Sequence, residues 1–178
     1  MDNELSYQQH SNNFKIFNMT LSEQLKQDLE KVLYGDPWYG SPVYDIIDQV
    51  SFEAAFEKPP GSVHNIAGIV LHMISWTEEV MDRMNGLAAQ LPSSGDWPDP
   101  GTPGEQKWQN YVSDLKLVNV NLLGIIQNFP EEQWNEPYKN ERDRELGTGV
   151  SFEELVKGLI QHQIYHSAQV ALLNRIIS

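Results

Sequence analysis

SFEELVKGLIQHQIYHSAQVALLNRI, residues 151–176, decides the fold. A seam can be traced through it at Phe152, Leu155, Leu159, His162, His166, Gln169, Leu173 and Ile176, stepping alternately by 3 and 4. That is the spacing of one helix face packed on others at a shallow crossing angle. Ser151 with Glu154 forms a capping box at its start. Three positions of this inward face are polar, and a buried polar group without a partner costs ~1–3 kcal/mol. His162, His166 and Gln169 therefore need partners. Side chains at i and i+4 have Cβ atoms ~5–6 Å apart, so two imidazoles in a His-x3-His step can converge on one ion. Spacing alone leaves two readings open: core histidines satisfied by hydrogen bonds, or two ligands of a metal.

Three further helical patterns precede it, with no strand-like alternation. The first runs from about Thr20 to Tyr34, with a Thr20–Glu23 capping box and a stripe of Leu21, Leu25, Leu29 and Val32. Gly35, Pro37, Gly40 and Pro42 break it, and a short helix over Pro42 to Gln49 bridges the loop. The second long pattern starts with Ser62 as N-cap and extends to about Leu91, with a seam of Ile66, Ile69, Met73, Trp76, Val80 and Met84. LPSSGDWPDPGTPG, residues 91–104, reads as a loop. Thr102, Pro103 and Glu105 predict the next helix start. Its seam is Trp108, Tyr111, Leu115, Val118, Leu122, Ile125 and Phe129. The polar run 135–149 reads as a surface loop. The expected fold class is all-α, a single antiparallel-type four-helix bundle with long loops and a short extra helix. Residues 1–19 form a polar N-terminal segment and 20–178 the bundle domain.

Composition narrows the function. The chain has 178 residues, 40% hydrophobic and 21% charged, enough for one domain with a core. A formal net charge of −13 disfavours nucleic acid and anionic membrane surfaces as partners. No cysteine is present, which excludes disulfides, thiolate metal sites and a cysteine nucleophile. The N-terminus lacks a signal-peptide pattern and no run is apolar enough to span a membrane, so a cytoplasmic protein is expected.

A third metal ligand has to come from a facing helix. His72, three residues after Ile69 and four before Trp76, lies at the edge of the second long helix's apolar stripe; the register also allows it at the rim. Three neutral imidazoles leave coordination positions open for water or substrate, the catalytic pattern of a zinc-type site. His64 lies eight residues earlier, about 80° around the helix, where it either lines the site's mouth or packs in the first turn. His10 falls in the polar N-terminus and reads as solvated. Trp76 is either a core anchor or a pocket wall. Gln169 is placed to orient an imidazole or water, whereas Tyr165 faces a neighbouring side suited to packing or an interface. The Glu-x-x-His step of di-iron bundles, the phosphate-binding glycine loop and the G-x-S-x-G elbow are all missing.

These pieces, YGDPWYGSPVYDII, HNIAGIVLHMISW, GDWP and HQIYHSAQVALLNR, resemble in order the DinB-like (YfiT-type) superfamily of four-helix bundles, from about Leu21 to Arg175. The last resembles the family's His-x-x-Tyr-His-x-Gly-Gln signature, with Ala168 where Gly is usual. Ala67 and Gly68 stand where relatives often carry bulkier residues. The resemblance places His72, His162 and His166 on the family's metal-ligand positions. It implies one divalent transition metal, often zinc or nickel, and commonly a homodimer. Some relatives are thiol-dependent transferases or isomerases using a low-molecular-weight thiol. The resulting expectation is an enzyme that joins water or such a thiol to a small electrophile. The alternatives are a non-catalytic metal-binding or sensing bundle and a metal-free helical protein.

Overall fold

A computed structural model describes residues 19–138 and 149–178. Six α-helices follow one another: α1 Leu21–Leu33, α2 Val43–Asp48, α3 Phe52–Phe56, α4 Ile66–Met84, α5 Glu105–Asn128 and α6 Phe152–Ile177, with a 3₁₀ turn at Glu131–Gln133. No strand occurs among the described residues, only an isolated bridge between Pro137 and Ser151. The all-α bundle is therefore present, with two short helices, α2 and α3, where one was expected. α3 has five residues, too few for a helical period to declare itself. His10 lies outside the described residues, as do residues 139–148 of the polar run.

Capping explains where the helices start. Thr20 and Ser151 each form the expected capping box, with Glu23 and Glu154. α4 begins later than Ser62 predicts, because the Ser62 hydroxyl donates to the His64 carbonyl and Asn65 instead caps the helix through Gly68 N–H. It also ends at Met84 rather than near Leu91. α5 is capped by Gly104, not by Thr102, whose oxygens accept from Lys107 Nζ.

The four long helices form a ring in which α1 touches α5 and α6, and α4 touches the same two. α1 thus stands diagonal to α4, and α5 diagonal to α6. Such an order needs long crossovers, and the α2–α3 segment is one of them. The start of α1 lies beside the end of α5, where Ser22 Oγ–H donates to the Phe129 carbonyl and Trp134 Nε1–H to Ser22 Oγ. The core between the helices is filled by Leu25, Leu29, Met73, Leu115, Leu122, Ile126 and Val156, all fully buried.

The inward face of α6 is rotated from the expected seam. Val156, Leu159, Ile160, Gln163, His166, Ser167 and Val170 are buried, whereas Ile176 is 60% exposed. A strict 3.5-residue period drifts from a straight 3.6-residue helix by ~20° per heptad. His162 and Gln169 consequently sit at the flank of the core, half-buried. The polar run also departs from a plain surface loop: Tyr138 is buried, with its N–H donating to the Val150 carbonyl and its hydroxyl to the Leu87 carbonyl.

Candidate metal centre

α4 and α6 pack side by side and bring His72, His162 and His166 together. One ring nitrogen from each lies within 4.8 Å of the others. His72 and His166 are 6% and 4% exposed, and His162 is half-buried. His72 Nε2 and His162 Nε2 are 3.0 Å apart.

Hydrogen bonds set the tautomers. The Asp96 carbonyl oxygen lies 2.6 Å from His72 Nδ1. A carbonyl only accepts, so Nδ1 carries the proton and Nε2 the lone pair. His166 Nδ1–H donates in the same way to Gln169 Oε1 at 2.7 Å, leaving its Nε2 lone pair available. His162 Nε2–H then donates to His72 Nε2, and His162 Nδ1 is left buried without a partner. Burial pushes the His162 imidazole down to about 3, helped by the neighbouring His166 and His72. Burial likewise pushes His166 down to about 4, against the raising effect of its Gln169 bond. Both are neutral at pH 7, the form that binds metals.

The donor set fits a cation. Nitrogens bound at ~2.0–2.1 Å in tetrahedral geometry stand about 3.3 Å apart, a few tenths of an ångström more than the His72–His162 separation of 3.0 Å. The buried His162 Nδ1 is a polar atom that the protein alone leaves unsatisfied at this site. Imidazole donors suit zinc, nickel, copper and iron alike.

Two residues that sequence reasoning quoted only within GDWP, without assigning them a role, complete the surroundings. The indole of Trp97 lies flat between two imidazoles, with ring centroids 3.8 Å from His72 and 3.7 Å from His64. It also presents itself edge-on to His166 at 5.9 Å. His64 precedes α4 and is kept out of the triad by the thickness of that indole; burial, then Lys58, lowers its pKa. Asp96 binds His72 through its carbonyl, and its carboxylate accepts Trp76 Nε1–H at 2.7 Å. Trp76 is half-buried and edge-on to His72. Tyr165 is 62% exposed, its ring edge-on to His166 at 4.9 Å.

Asp96 and Trp97 arrive on a segment that folds back along α4. Gly86, at φ +85°, turns the chain, and Leu87 N–H closes onto the Asp82 carbonyl. Gln90 N–H then donates to Glu79 Oε1, and the hydroxyls of Ser94 and Ser75 bond at 2.7 Å. Glu79 is thus buried beside Arg83 Nε at 3.0 Å, not solvent-facing. The contacts step back along α4 from 79 to 75 to 72. Nothing in the 91–104 composition predicts this, since the segment has no period and its key acceptor is a main-chain oxygen.

Among the described residues no helix is long and apolar enough to cross a membrane. No curated protein and no solved structure matches the chain. A family model does match, over residues 44–170, a span that includes every residue of the site. On that match and the helical architecture, the chain belongs to the DinB superfamily.

Proposed function

We propose that His72, His162 and His166 hold one divalent transition-metal ion, of zinc or nickel type, and that the protein is a metal-dependent enzyme acting on small electrophiles with a low-molecular-weight thiol or water as nucleophile. The observation that carries this reading is the convergence of the three imidazoles within 4.8 Å, two of them turned to present Nε2 by bonds at Nδ1. Membership of the DinB superfamily supports it. With three protein ligands, the ion supplies Lewis-acid activation of a fourth, exchangeable group at neutral pH.

The chain's own contributions are positional. Gln169 and the Asp96 carbonyl aim the imidazoles, Trp97 seals the His72 side against water, and exposed Tyr165 stands at the rim. Of the two adjacent acids that follow His72 on α4, Glu79 is committed to Arg83 and Gln90 N–H and supplies no general base. That commitment favours the second reading, a non-catalytic metal-binding or sensing bundle. A homodimer is part of the proposal; exposed Tyr165, Leu172 and Ile176 on α6 are suited to it.

Elemental analysis of untagged protein beside a His162→Ala/His166→Ala variant tests the ion. About one equivalent of transition metal, lost in the variant, is expected. Thiol consumption with generic electrophiles then tests the chemistry. A rate no higher than that of His162→Ala, across several thiols, selects the non-catalytic reading.

A further inference from the structure

We propose that Asp96 is the positioning residue of the metal centre, acting on it through His72 and held in place by Trp76. The inference rests on the reading of the three histidines as ligands. Asp96 makes two distinct contacts with α4, four residues apart on one helix face. Its main-chain oxygen takes the His72 Nδ1 proton at 2.6 Å, which fixes both the tautomer and the ring plane. Its carboxylate takes the Trp76 indole N–H at 2.7 Å and also lies 3.3 Å from His72 Nδ1.

A loop carbonyl is a poor orienting group unless its peptide is itself held. Gly95, at φ +93°, makes the turn that aims this one, with its N–H on the Pro92 carbonyl at 2.8 Å. The turn alone leaves Asp96 at the solvent edge, with a side chain 44% exposed. The bond from Trp76 fastens it to the helix that carries His72. The other anchors of the returning segment, Ser94 on Ser75 and Gln90 on Glu79, hold it farther along α4 and touch no ligand. Asp96 is therefore where a structural strap becomes part of the centre. Partners that fix a ligand histidine in this way typically carry 10–100-fold in metal affinity.

Zinc affinity of the full chain, measured by competition with a chromophoric chelator, tests this in Asp96→Ala, Asp96→Asn, Trp76→Phe and Ser94→Ala. Asp96→Ala is expected to bind zinc about 10–100-fold more weakly. Asp96→Asn keeps an oxygen for the indole and is expected to remain within about 3-fold of wild type, as is Ser94→Ala. Trp76→Phe should weaken binding, and combining it with Asp96→Ala should add little further loss. The cobalt-substituted Asp96→Ala protein should show shifted d–d absorption bands, which loss of loop stability alone would not produce. Wild-type affinity in Asp96→Ala overturns the inference. Equal losses in Asp96→Ala and Asp96→Asn overturn the route through Trp76, and equal losses in Ser94→Ala and Asp96→Ala assign the effect to the strap as a whole. A wild-type chain that takes up no ion overturns the metal-centre reading itself, a distinct result.

Discussion

Replacing His162 by leucine separates a ligand from an ordinary core histidine. In the ion-free protein, His162 Nε2–H serves His72 while His162 Nδ1 is buried with no partner. In His162→Leu that orphan disappears, but His72 Nε2 becomes one in its place. Each orphan costs ~1–3 kcal/mol, so the two terms cancel to first order. The lost hydrogen bond costs ~1 kcal/mol, and half-burying a leucine returns about the same. The variant should therefore lie within about 1 kcal/mol of wild type when unfolded by urea in the presence of a chelator. Zinc at about 100 times its dissociation constant should stabilise wild type by ~2.7 kcal/mol, about 5–10 °C in Tm, and the variant hardly at all. The assay is urea and thermal unfolding of both proteins, with chelator and with zinc. A loss above 2 kcal/mol in chelator, together with an intact zinc shift, would refute the reasoning and return His162 to a satisfied core role.

Other perturbations follow from the same geometry. Imidazoles titrate near 6.5 when unfolded, but His162 and His166 are held down to about 3 and about 4 in the fold. Between roughly pH 4 and 6.5 the unfolded chain binds more protons, so ion-free stability falls as pH drops through that window and levels off above it. Urea midpoints from pH 7 to 4 measure this, and His162→Leu should flatten the slope. Trp97→Ala removes a stack on His72 and another on His64 and should cost ~1–3 kcal/mol at ~0.5–1.5 each; the part of the tryptophan emission that responds to added zinc should vanish with it. Glu79→Ala leaves Arg83 buried without this carboxylate and strips Gln90 N–H of its acceptor. A loss of ~3–5 kcal/mol is expected by calorimetry, with Glu79→Gln costing less because its amide oxygen still accepts.

Most of the helical framework is legible in the chain because it is written in periods and caps. Leu25, Leu29 and Val32, or Leu115, Val118 and Leu122, repeat at helical spacing and are buried as that spacing requires. Thr20 and Ser151 carry their acids three residues on and cap as boxes. Failures fall where one side chain had a choice. Ser62 spent its hydroxyl on a turn, and Asn65 took the cap. Gln163, fully buried with its amide on Thr77 Oγ1, was missed because an assumed 3.5-residue repeat put the core one position away. At the site, His162 and His166 announce themselves by standing i and i+4 on one helix, and His72 by its place on a facing stripe. Asp96 and Trp97 have no such regularity. They act through a backbone oxygen and a flat ring delivered by a returning loop, and neither leaves a periodic trace.

The ring order of the bundle also bears on how the protein is made. His72 and His162 touch across 90 residues of chain, on helices that become neighbours only when α6, the last of the described helices, closes against α4. A nascent chain that has emerged only through α5 carries one of the three imidazoles and offers an ion no chelate. Capture of a metal would then coincide with the docking of α6 rather than guide earlier steps, and its binding energy would fall on that late, long-range contact. The ion would thus act as a latch on the completed bundle: chains stalled before α6 docks would stay metal-free, and stripping the metal should speed the undocking of α6 before it disturbs the pairing of α1 with α5.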